Sequence, residues 1–202
     1  MNQTTFALML AAATVGSLHT LAPDHWVPFA AIARAGKWSW QRTTRTTTFC
    51  GFGHVTVSAM LAIVAAFTGL RVLETFGAQL EHQATYLLIA FGFVYLIYGL
   101  RKHAHKHLHA PMTTWALFIL FCADPCIAVM PMVFAAAIEG VGAVAAVIVV
   151  YETATIATMI ALVLTAHAGA RRLEFPWIDR FGDAIAGAVI VCIGAFVGIL
   201  GI

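Results

Sequence analysis

The stretch Gly16-Ser-Leu-His19-Thr-Leu-Ala-Pro23-Asp24-His25 decides how this chain is read. It ends an apolar run that starts near Phe6. It puts two imidazoles, a carboxylate and a proline where a membrane helix ordinarily carries aliphatic side chains. In a continuous helix, at about 100° per residue, His19 and His25 would stand about 240° apart and could not face one point. Pro23 changes this. Its ring lacks an amide hydrogen and clashes with the carbonyl four residues back, which is that of His19. The sequence predicts a helix that unwinds between the two histidines. Both rings and the Asp24 carboxylate then turn to one place, with the freed His19 carbonyl as an extra ligand.

The rest of the chain places this break in a bilayer. Of the 202 residues, 61% are hydrophobic and 10% are charged, with a mean hydropathy of +0.90. A soluble domain carries roughly 25% charged residues. Six runs approach the roughly 20 apolar residues that a span needs: Phe6–Ala22, Thr48–Leu70, Ala84–Leu100, Met112–Ile138, Val141–Ala166 and Ala184–Ile202. No Lys or Arg precedes Arg34, so the basic segment of a cleaved signal peptide is missing and the first run is expected to be kept. Cys50, Cys122, Cys126 and Cys192 all fall in apolar runs, unlike the framework of a disulfide-stapled secreted domain.

Charge alternates between the connections. Arg34, Lys37, Arg42 and Arg45, then Arg101, Lys102 and Lys106, then Arg171, Arg172 and Arg180 make ten of the eleven Lys and Arg residues. The other connections hold Arg71 with Glu74, Glu81 and Glu139. The positive-inside rule makes the first set cytoplasmic and puts both termini outside. The stretch Trp26–Trp40, with Arg34 and Lys37, is expected to lie at the cytoplasmic interface. A formal charge of +2 gives no reason to expect a nucleic-acid partner.

The halves look alike. Thr56-Val-Ser-Ala-Met-Leu-Ala-Ile-Val64 and Thr155-Ile-Ala-Thr-Met-Ile-Ala-Leu-Val163 share four identities, and four of the other five positions are conservative. Gly92/Gly99 and Gly194/Gly201 repeat a seven-residue spacing, and Pro23-Asp24 is echoed by Asp124-Pro125. The expected fold is all-α: one transmembrane domain over residues 1–202, six helices as two inverted three-helix repeats, with spans one and four broken. Repeat one covers about 1–100, a His-rich cytoplasmic loop about 101–111 and repeat two about 112–202. Matching broken helices mark the binding site of many transporters.

An unpaired ionisable group at membrane depth costs roughly 2.5–3.5 kcal/mol or more. His19, Asp24, His25, His54, Asp124 and Glu152 must therefore pair, hydrate or bind something. Imidazoles with a carboxylate suit a divalent transition metal, with nickel and cobalt foremost and zinc, iron and copper as further candidates. Cys126 offers a soft donor, although a buried thiol is more often a small hydrophobe. A hydrogen bond to a neighbouring helix is the plainer role for Glu152. His103, His105, His107 and His109 alternate in the basic loop, a pattern that captures metals weakly. His82 and His167 receive no role.

His19-x-x-x-x-Asp24-His25 resembles the hallmark of nickel/cobalt permeases of the NiCoT type and the related NicO-type efflux proteins. Gly53-His54-Val-Thr56 resembles their second motif, Tyr151-Glu152-Thr-Ala-Thr155 a later acid-Thr motif, and Asp124-Pro-Cys126 the Pro-Cys element of the efflux branch. The resemblance implies a permease, not an enzyme, in the cytoplasmic (inner) membrane. It implies a divalent ion held by His19, Asp24 and His25 with His54 assisting, and no prosthetic group. This chain departs in its length and in Pro23, which replaces the acid common before the Asp-His pair. Proton-linked exchange is an expectation, because protons compete with metal for these ligands. A homo-oligomer is compatible with all of this. Two other classes compete. A thiol-redox electron carrier of the cytochrome-biogenesis kind would need a Cys in the first break, which has none. A small-anion exporter would want Arg or helix N-termini at the site, yet acids stand at both breaks.

Overall fold

A computed structural model describes residues 2–68, 70–102, 112–124, 126–171 and 176–200, and the described residues are helical with no strand. The elements are α1 (Gln3–His19), α2 (Pro23–Ala35), α3 (Trp40–Thr68), α4 (Leu70–Lys102), α5 (Met112–Cys122), a 3-10 turn (Ile127–Val129), α6 (Met130–Glu139), α7 (Val141–Arg171) and α8 (Pro176–Leu200). His103, His105, His107, His109, Pro125 and Gly201 lie outside the described residues.

Three helical segments, Trp40–Ala66, Val141–Ala170 and Phe181–Leu200, are long and apolar enough to cross a membrane. The bent pair α1 and α2 makes a fourth if it is one span. Large apolar side chains face outward without cover, among them Met60, Val94, Ile119 and Ile199. Such a surface suits lipid and would be a liability in water.

Helix α1 starts at an Asn2 cap whose Oδ1 accepts the Thr5 amide at 2.8 Å. It ends at His19, and α2 leaves at 51°. Pro23 is the first residue of α2, where a missing N–H costs nothing, and Asp24 lies in the positive first turn of that helix. The expected unwinding is therefore present, but the His19 carbonyl is not free. It accepts the Ala22 amide at 3.1 Å, because the turn between the helices closes with its own hydrogen bonds. Nor does Trp26–Trp40 lie on the surface as a whole. Phe29, Ile32, Ala33 and Trp38 are buried in the core, and α2 packs against α7 and α8.

The run Met112–Ile138 is likewise divided, into α5, the 3-10 turn and α6. Gly140, at φ +105°, then reverses the chain into α7 in a conformation that a side chain would strain. Helix α1 packs along α7, α3 along α7 and α5, and α4 along α8. The α4–α8 contact runs through glycines: a Cβ on Gly92 would meet the Val191 amide at 2.7 Å, and one on Gly187 would collide with the Leu96 backbone. The nine-residue likeness between the halves does not extend to burial. Met60 and Val64 are exposed, whereas Met159 and Val163 are buried.

Contacts mark two ends of the bundle. Asn2 Nδ2 donates to Glu139 at 2.5 Å. Arg34 Nε donates to the Ala170 carbonyl at 3.0 Å, near the ring of Trp40 on the edge of His167 (5.2 Å). The core divides into one cluster around α2 and another around α6 and the middle of α7. His54 follows Cys50 of the first cluster and precedes Val55 of the second.

Candidate metal centre

Three histidines meet at that seam. His19 comes from the end of α1, His25 from the first turn of α2 and His54 from α3. The His25 ring stands 4.4 Å from that of His19 and 5.3 Å from that of His54, edge to face in both cases. The break after His19 permits this, and so does Gly53. A side chain at 53 would run into the Phe118 ring and lie 2.8 Å from Cys122 Sγ, so glycine lets α5 close against α3 beside His54.

The hydrogen bonds set the tautomers. His54 Nδ1–H donates to the Phe121 carbonyl at 2.9 Å. That oxygen is one of the last in α5, where no further turn supplies an amide. His25 Nδ1 lies 2.9 Å from Asp24 Oδ1, which also accepts the His25 amide at 3.1 Å. A carbonyl or carboxylate oxygen only accepts, so each Nδ1 carries the hydrogen. In the neutral ring each Nε2 is then left with a bare lone pair. A carboxylate or carbonyl behind an imidazole is how proteins aim a metal-binding histidine. Asp24, read from the sequence as a ligand, has the position of the group that orients one.

The Nε2 atoms of His19, His25 and His54 are all buried, and none has a hydrogen-bond partner. A buried polar atom in that state costs about 1–3 kcal/mol. Three in adjoining rings are a concentrated deficit that a cation would remove. One ligand atom from each of His19, His54 and Cys126 lies within 4.8 Å of the other two. The site is thus gathered from α1, α2, α3 and the segment after α5. No two of those elements hold enough donors alone.

Cys126 is fixed from two sides. Its amide donates to the Ser58 hydroxyl at 2.8 Å, and that hydroxyl donates to the His54 carbonyl at 2.8 Å. Its Sγ is hydrogen-bonded to the Tyr151 hydroxyl at 2.7 Å. Tyr151 is fully buried. Neither Ser58 nor Tyr151 stood out in the sequence. The signal for Tyr151 is its place beside Glu152, at the head of the Tyr151–Thr155 motif, a polar pair in an apolar run. Glu152 is half-buried and takes no part in the cluster. Asp124 lines a small cavity with Asp24, Leu88, Leu120 and Phe121, within electrostatic reach of His25. Cys50 is buried one turn before His54 in the α2-centred core, and Cys122 lies beside Gly53.

Comparison with protein-family models, with curated proteins and with solved structures finds no match for this chain.

Proposed function

We propose that the protein carries a divalent transition-metal ion, nickel or cobalt first, across the cytoplasmic membrane. One observation carries the reading: the buried, partnerless Nε2 atoms of His19, His25 and His54, two of them on rings whose other nitrogen is tied to an acceptor. Neutral imidazole nitrogen is the donor that Ni²⁺, Co²⁺ and Zn²⁺ prefer. Asp24 orients His25, and Asp124 adds compensating charge from the second break. The likeness of the His19-to-His25 motif to nickel/cobalt permeases points the same way.

The finer topology belongs to this proposal. Six spans, with α1–α2 and α5–α6 as the broken pair, are supported by the Pro-Asp element at both breaks and by the packing of α4 on α8. The charge alternation, with Arg34 beside Ala170 at one end and Asn2 beside Glu139 at the other, supports termini outside and basic connections inside. Ions leave or enter with proton exchange, because imidazole binds either a proton or a metal.

The test is ion-dependent stabilisation of detergent-purified protein, with metal content of cells expressing wild type or His19→Ala. Ni²⁺ or Co²⁺ raises the melting temperature of the wild type and not of the variant. The sign of the cellular difference gives direction. Wild type indifferent to every divalent ion tried would sink the reading.

A further inference from the structure

We propose that Cys126 is a direct ligand of the transported ion, so that the site presents one sulfur and three nitrogens. The proposal rests on the metal-transport reading and narrows its substrate to thiophilic ions.

The geometry argues for it. Sγ belongs to the one set of three donor atoms lying within 4.8 Å of each other among the described residues, with a nitrogen of His19 and one of His54. In a tetrahedral site with metal–nitrogen and metal–sulfur bonds of about 2.05 and 2.3 Å, ligand atoms stand about 3.3–3.6 Å apart. From the 4.8 Å limit the three atoms need to close by about 1.2–1.5 Å at most, which side-chain torsions supply. His25, whose ring adjoins those of His19 and His54, brings the fourth donor through its own partnerless Nε2.

Packing alone does not account for this cysteine. A thiol that merely fills space needs no polar neighbours, and this one has Tyr151 on one side and two imidazoles on another. Ser58 holds its backbone to the turn that carries His54. Tyr151 holds its sulfur. A ring nitrogen of His19 and one of His54 lie within 4.8 Å of that sulfur. On binding, the S–H bond gives way to an S–metal bond and the proton leaves to water. The thiolate can then only accept, so Tyr151 O–H donates to it. Tyr151 is accordingly a positioning residue: it never touches the ion, but aims the sulfur and spreads its charge. Gly16 makes room for this arrangement, since a side chain there would crowd Thr155 Oγ1 at 2.8 Å and the Tyr151 ring at 3.3 Å.

The consequence is selectivity. Sulfur with imidazole favours Co²⁺, Ni²⁺, Zn²⁺ and copper, and disfavours Mn²⁺ and Mg²⁺, which want oxygen. Carboxylate ligation by Asp24 and Asp124 in place of the thiol would admit Mn²⁺ far more readily.

Cobalt spectroscopy tests this. Full-length protein in detergent, with Cys50, Cys122 and Cys192 replaced by Ser, is titrated with Co²⁺ alone. A near-ultraviolet sulfur-to-cobalt charge-transfer band is expected to grow with the visible ligand-field bands and to saturate together with them. Adding Cys126→Ser abolishes the charge-transfer band, keeps the visible bands and weakens Co²⁺ about 10- to 100-fold. Tyr151→Phe keeps the band but shifts its energy, which a merely structural role would not do. Visible bands without charge transfer when Cys126 is the sole cysteine would overturn the sulfur ligand and leave the transport reading intact. No cobalt bound at all would overturn both. The decisive spectrum is recorded with Cys126 present, so the outcome does not depend on the Cys126→Ser protein folding.

Discussion

Where α4 meets α8, two helices run backbone against backbone, with Gly92, Gly99, Gly187 and Gly194 at the contact. Where α1 and α2 meet α3 and α7, the chain is broken, histidines adjoin edge to face, and buried nitrogens go without partners. The first region is close packing, with the Tyr95 hydroxyl donating to Asp183 across it at 3.0 Å. The second keeps a polar deficit that nothing among the described residues fills. On the proposed reading, stability and metal binding are thereby separated in space. A residue can be essential to one region and nearly irrelevant to the other, and variants that mix the two effects would refute the distinction.

The largest effect is expected from Gly187→Val. A branched side chain there collides with the backbone around Leu96. Overpacking of this kind costs about 3 kcal/mol, and here backbone rather than a flexible side chain must yield. The protein should lose its sharp size-exclusion peak and melt far earlier, with or without metal. A well-folded Gly187→Val protein would mean that α4 and α8 do not pack as described.

His54→Ala tests the other region. Removing one ligand is expected to lower Ni²⁺ or Co²⁺ affinity by at least about 100-fold, beyond the loss typical of a group behind a ligand. Ion-free stability should fall much less than in Gly187→Val, as melting curves without metal would show. Asp24→Asn sits one step further back. The His25 ring loses its carboxylate partner but keeps its nitrogen, so affinity should drop about 10- to 100-fold without vanishing. Loss of all binding in Asp24→Asn would instead make the carboxylate a ligand, as the motif alone suggests.

Acid sharpens the comparison within one sample. A proton and a metal ion compete for the same imidazole nitrogen, so acid works against metal binding. The rise in melting temperature given by Ni²⁺ should be smaller at about pH 5 than at about pH 7.5. The Gly187→Val defect should be present at both. The smallest effect belongs to Ser58→Ala. It removes the hydroxyl that accepts from Cys126, leaving a buried amide unpaired at a cost of about 1–2 kcal/mol. Affinity should change little if the sulfur is held chiefly by Tyr151, and titration of the variant measures that directly.

The break after His19 was legible because proline acts locally: it lacks a donor and clashes four residues back whatever surrounds it. The helical class was legible for a similar reason, since apolar runs with so few charges leave little alternative to helices that satisfy their own backbone. The His19 carbonyl and the burial of α2 were misread, because a turn's hydrogen bonds and a helix's neighbours do not follow from its own sequence. The sequence likeness between Met60 and Met159 was a poor guide to environment, since apolar side chains serve equally against protein and lipid.

By itself, then, the sequence determined the break, its histidines and acids, and the apolar helices around them, each set by the covalent nature of a few neighbouring residues. Only the tertiary structure decided which donors meet. Sequence separations of 35 between His19 and His54, and of 72 between His54 and Cys126, are bridged by helix packing. That packing brought Cys126 and Tyr151 to the histidines, set Asp24 behind His25 and left Glu152 aside.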